Sequence, residues 1–157
     1  MNTKKCFLGG LASFAVLVVL SGLWYMVLMA GFYKENFAAV NRERMEPIHW
    51  VAGTLGVALL AFLMSTIYPI GYKGGSPAKE GLRFGILVGL LVWVSSNLVL
   101  FGAYKIPLNG TIIDSLYHLF EEGMAGLTIA LVYGRGSAQK LPAPSDGMVS
   151  IPQGRRP

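Results

Sequence analysis

The residues of this chain best suited to chemistry are His118, Glu121 and Glu122, in the run Tyr117-His118-Leu119-Phe120-Glu121-Glu122. On a helix, Glu121 stands three residues and Glu122 four residues from His118, so both carboxyls reach the imidazole. Asp114 lies one turn earlier on the same stripe. The run sits inside an apolar segment, residues 111–133, and a helical bilayer crossing needs about 20 residues. Ionisable side chains in hydrocarbon are costly and need partners. A protonated glutamic acid, or a His⁺–Glu⁻ pair, is the expected form there. Such a pair can relay protons or grip a polar or cationic ligand; it can equally do no more than fix helix packing or a subunit contact. Asn97 lies near the depth of His118, from the rise of about 1.5 Å per residue, and is placed to hydrogen-bond across helices.

Other chemistries find less support. No nucleophile–base–orienter set is visible, so no catalytic residue is assigned. Of the enzyme classes, one acting on lipid or quinone with His118 as acid/base is the nearest fit. Asp114 reads as a helix cap within Thr111-Ile112-Ile113-Asp114. His49, beside Trp50, reads as an interfacial residue. Haem held by two histidines needs ligands at one level, and His49 and His118 differ in depth by about 9 Å. Metal binding by His118 with Glu121 or Glu122 suits a borderline ion. No second His-x-x-Glu motif supports a dinuclear centre, and no metal or cofactor is assigned. The single cysteine, Cys6, excludes an intrachain disulfide or a cysteine cluster. Gly71-Tyr72-Lys73-Gly74-Gly75 lacks the phosphate-binding pattern and reads as a turn.

The elements that must position these residues are helices in lipid. The chain is 54% hydrophobic and 13% charged, with a mean hydropathy of +0.54; a soluble domain carries about 25% charged residues. Four apolar segments, residues 7–30, 47–70, 81–104 and 111–133, predict an all-α, four-transmembrane-helix bundle occupying residues 1–134 as one domain. The first is too long for a signal-peptide core and reads as an uncleaved span, with Trp24 and Tyr25 as interfacial anchors. Pro47, Ser76-Pro77 and Gly134 mark helix ends, and Asn109-Gly110 marks a turn. Phe32, Tyr33, Phe37 and Val40 in the loop 31–46 fit a short amphipathic turn on the membrane surface. The other links are short, which implies antiparallel neighbours. Gly53, Gly56, Gly85 and Gly89 mark faces for close helix packing. Residues 135–157, with Pro142, Pro144, Pro152 and Pro157, predict a disordered basic tail.

The net charge of +5 does not imply nucleic acid here, because the basic residues lie in loops and tails. Lys4, Lys5, Lys73, Lys79, Arg83, Arg135, Lys140, Arg155 and Arg156 share one side, against Lys34, Arg42, Arg44 and Lys105. The positive-inside rule then puts both termini in the cytoplasm. A faint repeat relates His49-Trp50-Val51-Ala52-Gly53 to the stretch from His118 to Gly126, and Leu23-Trp24-Tyr25 to Val92-Trp93-Val94. It would correspond to two parallel helix pairs.

Ser21-Gly22-Leu23-Trp24-Tyr25 and Ile113-Asp114-Ser115-Leu116-Tyr117-His118 resemble a family of small bacterial four-helix integral membrane proteins carrying a domain of unknown function. The resemblance covers residues 10–133. It implies the four-helix fold and a bacterial inner-membrane location, and no reaction. Glu121-Glu122 departs from the apolar residues that it implies after the histidine. The leading functional expectation is a non-enzymatic accessory subunit, with the lipid bilayer and a membrane-protein partner or second copy as its contacts. The alternative is an oligomeric small-solute or proton-coupled transporter or channel that uses His118, Glu121, Glu122 and Asn97.

Overall fold

The computed structural model describes residues 2–134 apart from 39, 41, 43, 73 and 74, and these residues form five helices and no strand. They are α1 (Thr3–Leu28), α2 (Ala30–Asn36), α3 (Pro47–Gly71), α4 (Pro77–Ala103) and α5 (Leu108–Gly134). Three of them, α1, α3 and α4, are long and apolar enough to cross a membrane, with mean hydropathies of 2.2, 1.9 and 2.2. The fifth is as long, at 27 residues, but Asp114, His118, Glu121 and Glu122 make it less apolar. The tail predicted from residue 135 onward lies outside the described residues.

Helix starts follow local chemistry. Asn2 caps α1 by accepting from the Lys5 N–H at 3.1 Å. Pro47 and Pro77 occupy first-turn positions, where a missing N–H costs nothing. At α3 the cap is a reciprocal pair: Glu46 caps the turn while its own N–H donates to His49 Nδ1 at 3.1 Å. His49 therefore has a structural duty at a helix end. Asn109-Gly110 is not a turn. It is the first turn of α5, with the Gly110 N–H on Asn109 Oδ1 at 2.9 Å. Gly134 is still helical.

Two helices contain a π-helical turn, Trp24–Leu28 in α1 and Leu90–Val94 in α4. A π turn leaves carbonyls without their usual partner. In α4, Ser95 and Ser96 return their hydroxyls to the Leu91 and Val92 carbonyls. A similar repair occurs in α3, where Pro69 cannot donate to the Ser65 carbonyl. The Tyr133 hydroxyl of α5 donates there instead, at 2.8 Å. Lys5 Nζ caps the last turn of α5 through the Tyr133 carbonyl, at 2.6 Å.

The bundle is polar inside and apolar outside. The middle helix is α5, packed against α4, α1 and α3. It buries eleven residues, His118, Glu121 and Glu122 among them, whereas α3 buries four. Outward faces carry Val19, Leu59, Ile67 and Leu91, all exposed. One half of the core is apolar, built from Leu17, Ala61, Met64, Tyr68, Ala125, Ile129 and Ala130.

Gly81, Gly85 and Gly89, spaced by four, lay the α4 backbone directly on α5. A Cβ on Gly85 would strike the Glu122 carbonyl, and one on Gly89 would press on His118 and Leu119. Gly85 and Gly89 thus lie at a close contact within the chain, whereas Gly53 and Gly56 are exposed and an added Cβ there meets nothing within 4 Å. Apolar helices collect glycine on lipid-facing sides as well as at contacts, so type alone cannot separate the two.

Gly85→Ala should therefore destabilise the bundle by about 1–3 kcal/mol through overpacking. Gly53→Ala should leave it unchanged or slightly firmer. Thermal unfolding in detergent, followed by circular dichroism, separates the two outcomes.

Candidate functional site

Burying carboxylates at the centre of a bundle requires donors from neighbouring helices. In α1, Trp24 and Tyr25 continue the stripe of Ser13, Leu17 and Ser21 that faces α5, and in α4 Trp93 continues the stripe of Gly81, Gly85 and Gly89. The expectation that Trp24 and Tyr25 anchor the interface is corrected. Trp24 stacks on Tyr117, with centroids 4.2 Å apart, and Tyr25 bonds both Asp114 and His118.

Asp114 is a hub and not a helix cap. Its Oδ1 accepts from Tyr25 at 2.7 Å and from Tyr33 at 2.5 Å, and its Oδ2 accepts from Asn97 Nδ2 at 2.9 Å. Three donors make it a well-satisfied carboxylate. Tyr33 also accepts from Trp24 Nε1 at 3.1 Å. Burial, then the bond to Asp114, pushes the Tyr33 hydroxyl above its ordinary value, so it remains a donor. Tyr33 belongs to α2, and Phe37 beyond it covers Gly110. The aromatics of this loop thus fold over the protein, where a surface-lying turn was expected.

His118 joins the hub to the glutamates. Its Nε2 lies 3.0 Å from Tyr25 Oη, and its Nδ1 lies 2.9 Å from Glu121 Oε2. Tyr25 has a single proton, which goes to Asp114, so Nε2–H donates to the tyrosine oxygen. A hydrogen bond at Nδ1 then requires one proton shared between Nδ1 and Glu121 Oε2. The unit is either imidazolium–carboxylate or imidazole–carboxylic acid, and its net charge is zero in both forms. Trp93 stacks flat on the imidazole, with centroids 3.9 Å apart and planes 3° apart.

The outer oxygen of each glutamate is held. Glu121 Oε1 accepts from Ser21 Oγ at 2.5 Å and from Tyr117 at 3.2 Å. Glu122 Oε1 accepts from Trp93 Nε1 at 2.9 Å, while Glu122 Oε2 is buried and has no partner. Among the described residues, no lysine or arginine ion pair reaches these carboxylates.

Asp114, Tyr25, Tyr33 and Asn97 also line a cleft of about 1130 Å³ at the end of the bundle opposite Thr3 and Gly134, with Lys34 and Arg42 among its other walls. The polar chain therefore starts at the cleft and runs inward from Asp114 to Glu122, about 12 Å along α5. Beyond Glu122 the apolar core closes the path.

Of the four candidate residues, His118 and Glu121 are bonded to each other, Asn97 joins them through Asp114 and Ser115, at 2.9 and 3.2 Å, and Glu122 stands beside them bonded to Trp93. Ser21, Trp24, Tyr25, Tyr33 and Trp93 were not singled out as site residues in the sequence. Trp93 carried one usable signal: an indole N–H in mid-span needs an acceptor. No known family, curated protein or solved structure matches the chain.

Trp93→Phe should cost about 1–3 kcal/mol of stability, because both oxygens of a buried carboxyl then lack a donor. Trp50→Phe, at a side chain 49% exposed, should cost little. Thermal midpoints of the two variants in one detergent decide this.

Proposed function

We propose that this is a multi-pass membrane protein that loads a small cation, in the first instance a proton, from the cleft onto its buried His118–Glu121–Glu122 cluster, as one step of transport. The observation that carries this reading is the unbroken hydrogen-bonded series from the cleft through Asp114, Tyr25 and His118 to Glu121. A purely structural pair would not need a series that reaches a cavity, nor a neighbouring carboxylate with an open oxygen.

In this proposal α5 is a fourth span that leaves the apolar stripe of Ile112, Leu116 and Phe120 exposed and turns its charges toward protein and the cleft. Both termini lie in the cytoplasm of a bacterial inner membrane, as the lysine and arginine distribution supports, and the cleft opens outward. The likeness of residues 10–133 to small four-helix membrane proteins supports the fold alone.

A second reading, an accessory subunit or a homo-oligomer, draws on the outer half of α3. Residues 50–56 there are all exposed, and Gly53 and Gly56 would let another helix approach closely. The two readings are compatible if a partner completes the path.

In vesicles containing a pH-sensitive dye, the reconstituted protein should support proton flux that Glu121→Gln lowers by tenfold or more. Flux equal to the wild type in both Glu121→Gln and Asp114→Asn would remove the relay. Purification in mild detergent should recover a stoichiometric partner or oligomer if the second reading holds.

A further inference from the structure

The fixing bonds of the cluster leave a particular set of atoms uncommitted. Glu121 Oε1 is tied by Ser21 and Tyr117, Glu122 Oε1 by Trp93, and His118 Nε2 by Tyr25. What remains is one imidazole nitrogen, Nδ1, and the second oxygen of each carboxylate. Two of these share a proton. The third, Glu122 Oε2, belongs to a side chain 1% exposed and has no partner.

This is the arrangement that holds metal ligands. A ligating histidine donates its other ring N–H to an acceptor, and ligating carboxylates are themselves hydrogen-bonded, so each free donor is oriented. The donor atoms of His118, Glu121 and Glu122 all lie within 4.8 Å of one another, and all three residues are buried. On a tetrahedral ion with bonds of about 2.1 Å, donors sit about 3.4 Å apart. An ion would draw the three donors together across that difference. Charge points the same way. Two carboxylates and a neutral imidazole carry −2, which a divalent ion cancels in a site where an uncompensated charge costs several kcal/mol.

We propose that His118 Nδ1, Glu121 and Glu122 bind one divalent first-row transition-metal ion, entering from the cleft. The ion takes the place of the proton shared by His118 and Glu121, and that proton leaves toward the cleft. Mixed nitrogen and oxygen donors without thiolate suit zinc, manganese, iron(II) or cobalt. Calcium and magnesium prefer oxygen alone. This inference rests on the cation-loading reading of the same cluster and names the class of cation.

The test uses the full chain, purified in detergent without a histidine tag. Titration with Co²⁺, read by its d–d absorption, should saturate at one ion per chain and be reversed by excess Zn²⁺. His118→Gln and Glu122→Gln should each weaken binding by tenfold or more. Glu80→Gln, near the opposite end of the bundle, should not. Where a cluster variant fails to fold, X-ray absorption of the Zn²⁺-loaded His49→Gln protein serves instead, because His118 is then its only histidine; an imidazole among the ligands is expected. No saturable binding by folded wild type, binding indifferent to both cluster substitutions, or a spectrum without imidazole would each overturn the proposal. If proton flux in vesicles persists without metal binding, the metal site falls and the proton reading stands. Cluster-dependent metal binding without flux keeps the site and removes the transport step.

Discussion

The hydrogen shared between His118 Nδ1 and Glu121 Oε2 is the interaction that everything around it accommodates. It makes a histidine and a glutamate a neutral unit, so both can be buried where separate charges would each cost several kcal/mol. Neutrality alone does not satisfy the remaining lone pairs and N–H groups. Ser21 and Tyr117 do that for Glu121 and Tyr25 for His118, while Trp93 serves the neighbouring Glu122. Removing Tyr25 or Trp93 leaves a buried polar atom in low dielectric without its partner. That asymmetry, small gain when made and large loss when broken, explains why so many aromatic hydroxyl and indole groups converge on one helix turn.

The constraint also explains the architecture. A helix that carries three acids and a histidine turns these inward, and α5 keeps Leu108, Ile112, Leu116, Phe120 and Leu131 on its exposed side. It takes the centre, and α1, α3 and α4 present their leucine, isoleucine and valine side chains outward. Shielding must be tight at the level of the glutamates, and the glycine stripe of α4 supplies this. With Gly85 against the Glu122 carbonyl, the two backbones touch and leave no room for lipid or water between them. At the cleft end the packing is looser. The end of α4 from Leu98 to Ala103 is exposed, and α2 folds over part of the opening to bring Tyr33 to Asp114.

These features differ in how far the amino-acid order reveals them. The helices begin and end within a few residues of the expected positions, because runs of apolar residues between proline, glycine and polar links are enough to place them. The His118, Glu121 and Glu122 grouping is visible from spacing alone, since three- and four-residue separations on one helix need no tertiary knowledge. The other half of the site is not visible that way. Tyr25 and Tyr33 meet Asp114 across 89 and 81 residues, and no local pattern encodes that distance. Trp24, Tyr25 and Trp93 fall on the stripes that a regular period continues from Leu17 and from Gly89, but the acceptors that give them a role lie on other helices. Gly85 and Gly53 are the same residue type in equally apolar helices, and only the partner backbone tells a contact from an open flank.

The network is one-sided. Its bonded series begins at a cleft and ends at Glu121, with Glu122 beside it, and the next polar groups toward the other end are bonded elsewhere. Ser13 donates to its own helix at the Gly10 carbonyl, and Ser65 donates to the Cys6 carbonyl. Leu17, Met64 and Ile129, each at most 2% exposed, fill the space between. In the proposed loading step the site is reached from the cleft and closed beyond Glu122, so release to the far side would require a second arrangement of the helices. The contact best suited to change is α4 on α5, because a glycine stripe gives close approach without interlocking side chains, and Trp93 on α4 holds both the imidazole face and Glu122. Sliding that helix would break the stacking and free the last tied oxygen in one movement. On the proposed reading, Trp93 is the side chain that links the cluster to α4.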